Sequence, residues 1–151
     1  MKPYEALLAA WAAEEPPYLR HVTHGEAEVA ALEARYGVQL PADFRAYLLH
    51  ACATCDPGFA DGQAGEWWGL DRIRSVREEY TGAITDAGLE QQADTALFFA
   101  DFAVWAMAWA ICCQPGPSYG QVYVVSGEDS VAAPTFAAFV DQYVIDSTAL
   151  I

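Results

Sequence analysis

Val104-Trp105-Ala106-Met107-Ala108-Trp109-Ala110-Ile111-Cys112-Cys113 is the stretch on which the fold turns. Trp105, Met107, Trp109, Ile111 and Cys113 alternate with Val104, Ala106, Ala108, Ala110 and Cys112, and none is charged. A period of two is that of extended chain, and a strand apolar on both faces belongs in the middle of a covered sheet. The pattern predicts a strand over residues 104–113, with Trp105 and Trp109 on the same side of the sheet. Leu97-Phe98-Phe99 predicts a strand over 96–102. Gln114 to Gly120 (QPGPSYG) is a tight connection, after which Gln121 to Ser126 (QVYVVS) pairs back as a hairpin strand. The three are expected to be adjacent and antiparallel.

Upstream the period becomes helical. Tyr4, Leu7, Leu8 and Trp11 place an amphipathic helix over about 2–14, which Pro16-Pro17 ends in a loop. Val29, Leu32 and Tyr36 mark a second helix from Gly25 to Tyr36, closed by Gly37 in the left-handed conformation. Pro41 suits the first position of a third helix, with Phe44, Tyr47, Leu48 and Ala51 on one stripe. Residues 52–66 form a loop rich in glycine, alanine and aspartate. Trp67-Trp68-Gly69-Leu70 follows as a short strand, then Asp71 to Tyr80 as a helical turn with Ile73, Val76 and Tyr80 inward. Thr81 to Gln92 is polar and without a clear period. From Pro134, the spacing of Phe136, Phe139, Val140 and Tyr143 gives a last helix. The order predicts an α+β single domain over 1–151, with N-terminal helices, a mixed or antiparallel central sheet and a C-terminal helix.

The formal charge of −14 is unevenly spread: 11 acids face 7 bases through Arg77, and 10 acids face none beyond it. Such a surface cannot neutralise phosphates, so nucleic acid is excluded as a partner and a basic protein is favoured. Residues 95–113 are the one membrane candidate. They lack flanking cations, and Phe102 to Cys113 is too short to span a bilayer, so no membrane is expected. The first residues make a poor secretory signal, and the expected location is cytoplasmic.

Four cysteines in such a chain read as thiols. Cys52 and Cys55 have CxxC spacing near His50, but a redox motif of that type should open a helix, and this one follows a helical pattern. Only one of Cys112 and Cys113 could join them around zinc, because adjacent strand residues point to opposite faces. His21 and His24 are weaker as a metal pair, in a stretch that reads as loop. No metal and no cofactor are expected, and a thiol or metal protein built on Cys52 and Cys55 is the alternative. His21, His24 and His50 belong to no nucleophile motif, and there is neither a phosphate-binding glycine loop nor an HExxH. The adjacent acids Glu78-Glu79 and Glu128-Asp129 point separately into solvent. The chain does not read as an enzyme.

Several of these words stand in a familiar order: Leu32-Glu33-(x2)-Tyr36-Gly37-(x2)-Leu40-Pro41-(x2)-Phe44-(x2)-Tyr47-Leu48-Leu49, then Trp68-Gly69-Leu70-(x2)-Ile73, Leu97-Phe98-Phe99-Ala100-Asp101, Val122-Tyr123 and Ala132-(x3)-Phe136-(x2)-Phe139. Together they resemble the SUKH superfamily, which includes bacterial toxin-immunity proteins and fungal cell-wall regulators. The resemblance covers roughly 25–146 and leaves 1–24 as an N-terminal helix and loop extension. It implies a non-catalytic protein-binding domain that neutralises a cognate bacterial toxin by occluding it, a nuclease being a toxin whose cationic site suits an acidic inhibitor. The alternative is a regulatory or scaffold module of the same fold. Oligomeric state is not legible.

The expected binding surface is the loop before the sheet, with Asp56, Asp61 and Glu66 and one of Trp67 or Trp68 as an aromatic anchor. Adjacent residues on a strand face opposite ways, so one tryptophan is expected in the core and the other nearer the surface. Glu78, Glu79, Glu128 and Asp129, in the acidic C-terminal half, are the alternative surface.

Overall fold

A computed structural model describes residues 2–14, 21–53 and 60–151. The loop prolines Pro16-Pro17, and with them Cys55 and Asp56, lie outside the described residues. Three helices come first: α1 (Pro3–Ala12), α2 (Glu26–Tyr36) and α3 (Ala42–His50). Gly37 closes α2 at φ 65°, as its position after Tyr36 predicts. Two short strands, β1 (His21–Val22) and β2 (Cys52–Ala53), pair antiparallel beside them, where the sequence reads as loop. The main sheet contains β3 (Gly65–Trp67), β4 (Arg74–Ser75), β5 (Leu97–Phe102), β6 (Met107–Ile111), β7 (Val122–Val125) and β8 (Ser130–Ala133). All its pairings are antiparallel, in the order β3-β5-β6-β7-β8. β3 and β4 share one edge of β5: Trp67 pairs with Ala100 and Arg74 with Phe98. Between β4 and β5 run two short helices, α4 (Val76–Glu79) and α5 (Ala87–Gln91). The last helix, α6 (Phe136–Ile145), starts where Thr135 Oγ1 accepts the Ala138 N–H at 3.0 Å. A 3-10 turn, Ser147–Leu150, follows.

The fold is the expected α+β domain. One face of the sheet receives α6, α3 and α1 through an aromatic core. Trp67, Phe99, Phe44, Tyr47, Phe136 and Phe139 are all fully buried, with ring centroids 5.2–6.4 Å apart, mostly tilted or edge-on. Such pairings add to the large apolar area the rings remove from water. Asp43 ties the helix layer together, its Oδ2 accepting the Ala137 N–H at 2.9 Å. The other face carries Trp68, Phe98 and Trp105 and is covered by the segment with α4 and α5. In it Ile73, Val76 and Leu89 are buried, and Tyr80 stacks on Trp105.

Three expectations need correction. Residues 104–113 do not form one strand: β6 begins only at Met107, and residues 103–106 are a turn. Trp105 and Trp109 consequently lie on opposite faces. Trp109 meets Phe139 and Tyr143 of α6 at 5.2 and 5.9 Å, and Trp105 meets Phe98 at 5.4 Å. Left-handed backbone at Ala103, Val104 and Trp105 resets the alternation before β6 starts. Second, neither tryptophan of the pair approaches the surface, for Trp67 and Trp68 are both 0% exposed. The segment from Leu70 to Ala96 supplies a second layer over Trp68. Third, β8 and α5 fall in stretches without an assigned element, and the helix within 71–80 is only the single turn of α4.

Candidate functional site

Asp61 and Glu66, the described acids of the loop before the sheet, are structural. Asp61 is 6% exposed and joins three parts of the chain. It accepts from Trp11 Nε1 of α1 at 2.9 Å and from the Tyr143 hydroxyl of α6 at 2.6 Å, and its Oδ1 also takes the N–H groups of Gln63 and Gly65. A side chain at Gly65 would overlap the Tyr143 hydroxyl, which is why glycine stands there. Nearby, Glu14 accepts the Gly62 N–H, while burial holds its carboxyl above the ordinary range.

Glu66 is equally buried. It faces Arg72 at 2.9 Å, and Arg72 reaches Asp101 at 3.5 Å while its guanidinium lies 4.2 Å over the Trp68 ring. Asp101 also accepts from Trp68 Nε1 at 2.9 Å and from the Trp105 N–H at 3.0 Å. Burial nevertheless raises its carboxyl above the ordinary value, outweighing these bonds and the arginine. Asp61, Glu66, Trp67 and Trp68 therefore share the interior of one end of the sheet and present little to a partner.

Exposed acids occur on the alternative surface. Glu79 and Glu128 are exposed. Glu78 is held by Arg35 at 3.2 Å and accepts from Ser75 at the start of α4. Asp129 braces the β7–β8 turn, accepting from the Ser126 and Gly127 N–H groups through Oδ1 and from the Thr85 N–H through Oδ2. Tyr80 follows Glu79 directly, and a methyl group added at Gly127, the residue before Glu128, would come 3.9 Å from its hydroxyl.

The same Tyr80 leads to a feature the sequence hides. Its ring stacks on Trp105 at 6.2 Å with planes 13° apart, and Trp105 ends the run of left-handed residues Ala103, Val104 and Trp105, at φ 51°, 57° and 62°. Left-handed backbone costs an L-residue roughly 1–2 kcal/mol, and a β-branched residue tolerates it least. Val104, at the tip, is 83% exposed, the most exposed of the large apolar side chains among the described residues. The strain is held by the Asp101–Trp105 bond, by Ala103 N–H to Ala64 O at 3.0 Å and by Ala106 N–H to Phe102 O at 2.9 Å. The chain thus holds strained backbone around its exposed tip. No glycine or asparagine signals the turn, and the alternation runs straight through it.

Cys52, Cys112 and Cys113 are buried, and burial pushes the Cys112 thiol to about 12 and Cys113 higher still, which suppresses the thiolate at both. Among the described residues no group of three or more His, Cys, Asp or Glu could hold a metal ion. None of their helices is long and apolar enough to cross a membrane.

An antiparallel sheet with helices packed on it makes this a domain of the α+β class. The model of the SMI1 / KNR4 family (SUKH-1) matches residues 25–142, and the chain belongs to that family. No curated protein matches it. The family comprises immunity-type and regulatory domains that act through protein–protein contact.

Proposed function

We propose that this chain is a non-catalytic immunity protein of the cytoplasm, which neutralises a cognate bacterial toxin by occluding a basic surface on it. The observation that carries the reading is the Val104 turn: an exposed aliphatic side chain on backbone held rigid at some cost, next to Trp105, whose ring stacks on Tyr80, the residue after Glu79. An apolar centre with acids around it suits a cationic site, since the apolar contact slows dissociation while the acids steer encounter. The net charge of −14 supports the same sign of partner. Carboxylates at such a rim can take the place of phosphates in a nuclease site, which makes a nuclease the favoured toxin. The binding face moves accordingly from Asp61, Glu66 and the two tryptophans to Val104, Tyr80, Glu79 and Glu128.

The test is direct. A toxin encoded beside this chain is co-expressed with it, and the complex is isolated and its affinity measured with parent and Val104→Asp chains. A stable complex weakened at least tenfold by Val104→Asp supports the reading. A toxin that kills equally well in the presence of the parent chain overturns it.

A further inference from the structure

A second feature stands at the other end of β5, where Arg74 pairs with Phe98. Between α2 and the segment 70–74 lies a groove of about 340 Å3. Leu32, Leu70 and Ile73 make it apolar, and His24, Arg35 and Arg74 stand around it. In so acidic a chain, this gathering of basic side chains is unusual.

Their bonding separates them. Arg35 is engaged by Glu78, while Arg45, Arg72 and Arg77 each face two carboxylates. Arg74 has no carboxylate partner among the described residues. Its Nη1 donates only to the main-chain carbonyls of Asp71 and Ile73, at 2.8 and 3.0 Å. On the opposite wall, His24 Nδ1 lies 2.9 Å from Glu28, and its Nε2 is shut off from solvent with no hydrogen-bond partner. A buried polar atom without a partner is costly and calls for an explanation.

We infer that the groove binds a carboxylate carried on an aliphatic stem, in the form a glutamate side chain of an acidic peptide segment presents it. The guanidinium of Arg74 offers donors to the carboxylate, and the aliphatic stem covers Leu32, Leu70 and Ile73. A phosphate fits worse. Its second charge would meet Glu28 and Asp71, which also line the groove, and it has nothing to place on an apolar floor. The site is separate from the Val104 turn, so its failure would leave the immunity reading untouched.

The probe is the capped peptide acetyl-Ala-Leu-Glu-Leu-Ala-amide, added to the 15N-labelled full chain at about 0.15 M salt and followed by amide and imidazole shifts. The glutamate peptide should shift the signals of Ala31, Leu32, Leu70, Ile73 and His24 Nε2. The same peptide with glutamine should bind about tenfold more weakly. Arg74→Gln should remove the difference between the two peptides, and Arg74→Lys, which keeps the charge without the planar fork, should restore part of it. Unchanged spectra in the groove at 10-fold excess over about 1 mM would overturn the inference, on the affinity scale of weak peptide sites. Equal binding of the two peptides would do so as well, and glutarate binding as tightly as the peptide would remove the peptide assignment.

Discussion

The Ala103 N–H donates to the Ala64 carbonyl at 3.0 Å, joining the two places where the described chain adopts left-handed backbone without glycine. The loop before β3 and the β5–β6 turn thus brace one another. Behind them Asp61 pins the loop to α1 and α6, and Asp101 pins the turn to Trp68. The interior acids serve to hold a rim, and the rim carries Val104.

Replacing Val104 tests whether its strain serves binding. Asparagine and glycine accept left-handed backbone, so Val104→Asn and Val104→Gly relieve the tip, and little packing is lost at an 83%-exposed side chain. Stability should rise by about 0.5–1 kcal/mol in urea unfolding, while affinity for the partner falls. If both substitutions lower stability, the turn is not strained in the way the dihedrals indicate.

Asp61→Ala should be among the most damaging single changes. It removes the acceptor used by Trp11 Nε1, the Tyr143 hydroxyl and two backbone N–H groups in a buried place. A loss of about 3 kcal/mol or more is expected in chemical unfolding, from hydrogen bonds to a buried charged group. The fraction that remains folded should bind the partner as the parent does. Weakened binding without loss of stability would restore Asp61 to the contact surface.

Much of the architecture can be read in the sequence, because helix stripes such as Phe136, Phe139, Val140 and Tyr143 and strands such as Leu97-Phe98-Phe99 repeat at their own periods. The rim cannot. Ala103-Val104-Trp105-Ala106 has no turn-forming residue, and Trp105 continues the bulky alternation even though its ring goes to the opposite face from Trp109. The acids mislead for a related reason: a loop aspartate looks solvated until the two tryptophan N–H groups appear beside Asp61 and Asp101. Trp68 looks like a surface anchor only while the polar stretch that contains α5 is unplaced.

Stability should pass through a maximum on the acid side of neutrality. The folded-state values of Asp101 and Glu14 are raised by burial, so the folded chain binds their protons more readily than the unfolded chain, and stability rises as pH falls through those values. Relief of self-repulsion at a net charge of −14 acts in the same direction. Glu26, Glu28 and Asp146 have the opposite sign. Hydrogen bonds from Arg45, His24 and Thr148 hold them below their ordinary values, so their contribution is present above those values and is lost as pH falls further, below about pH 4. Thermal midpoints measured from pH 8 to pH 3.5 should climb and then drop. A monotonic fall from pH 8 would show that the buried carboxyls are not raised.

Cys112 and Cys113 should resist iodoacetamide at pH 8 in the folded protein and react once urea unfolds it, because the thiolate is the reactive form and burial suppresses it. Mass spectrometry of the alkylated peptides reads this at each position. Rapid native labelling at Cys112 would mean that the end of β6 opens to solvent.

The exposed acids should control encounter more than residence. Glu79 and Glu128 flank Tyr80 and Gly127 at the surface, so removing them leaves the core as it is, and Glu79→Lys with Glu128→Lys should keep stability within about 0.5 kcal/mol of the parent. Against a basic partner, the double charge reversal should slow association by about tenfold at low salt, and the difference should shrink as salt screens it. Dissociation should change little, in contrast to Val104→Asp, which places a charge in the apolar centre and should act mainly by speeding release. Stopped-flow association at several ionic strengths, with dissociation followed by competition, separates the two effects. If the charge reversals leave the association rate unchanged at every salt concentration while Glu66→Gln or Asp61→Asn slows it, the partner approaches the loop before β3 and the rim assignment is wrong.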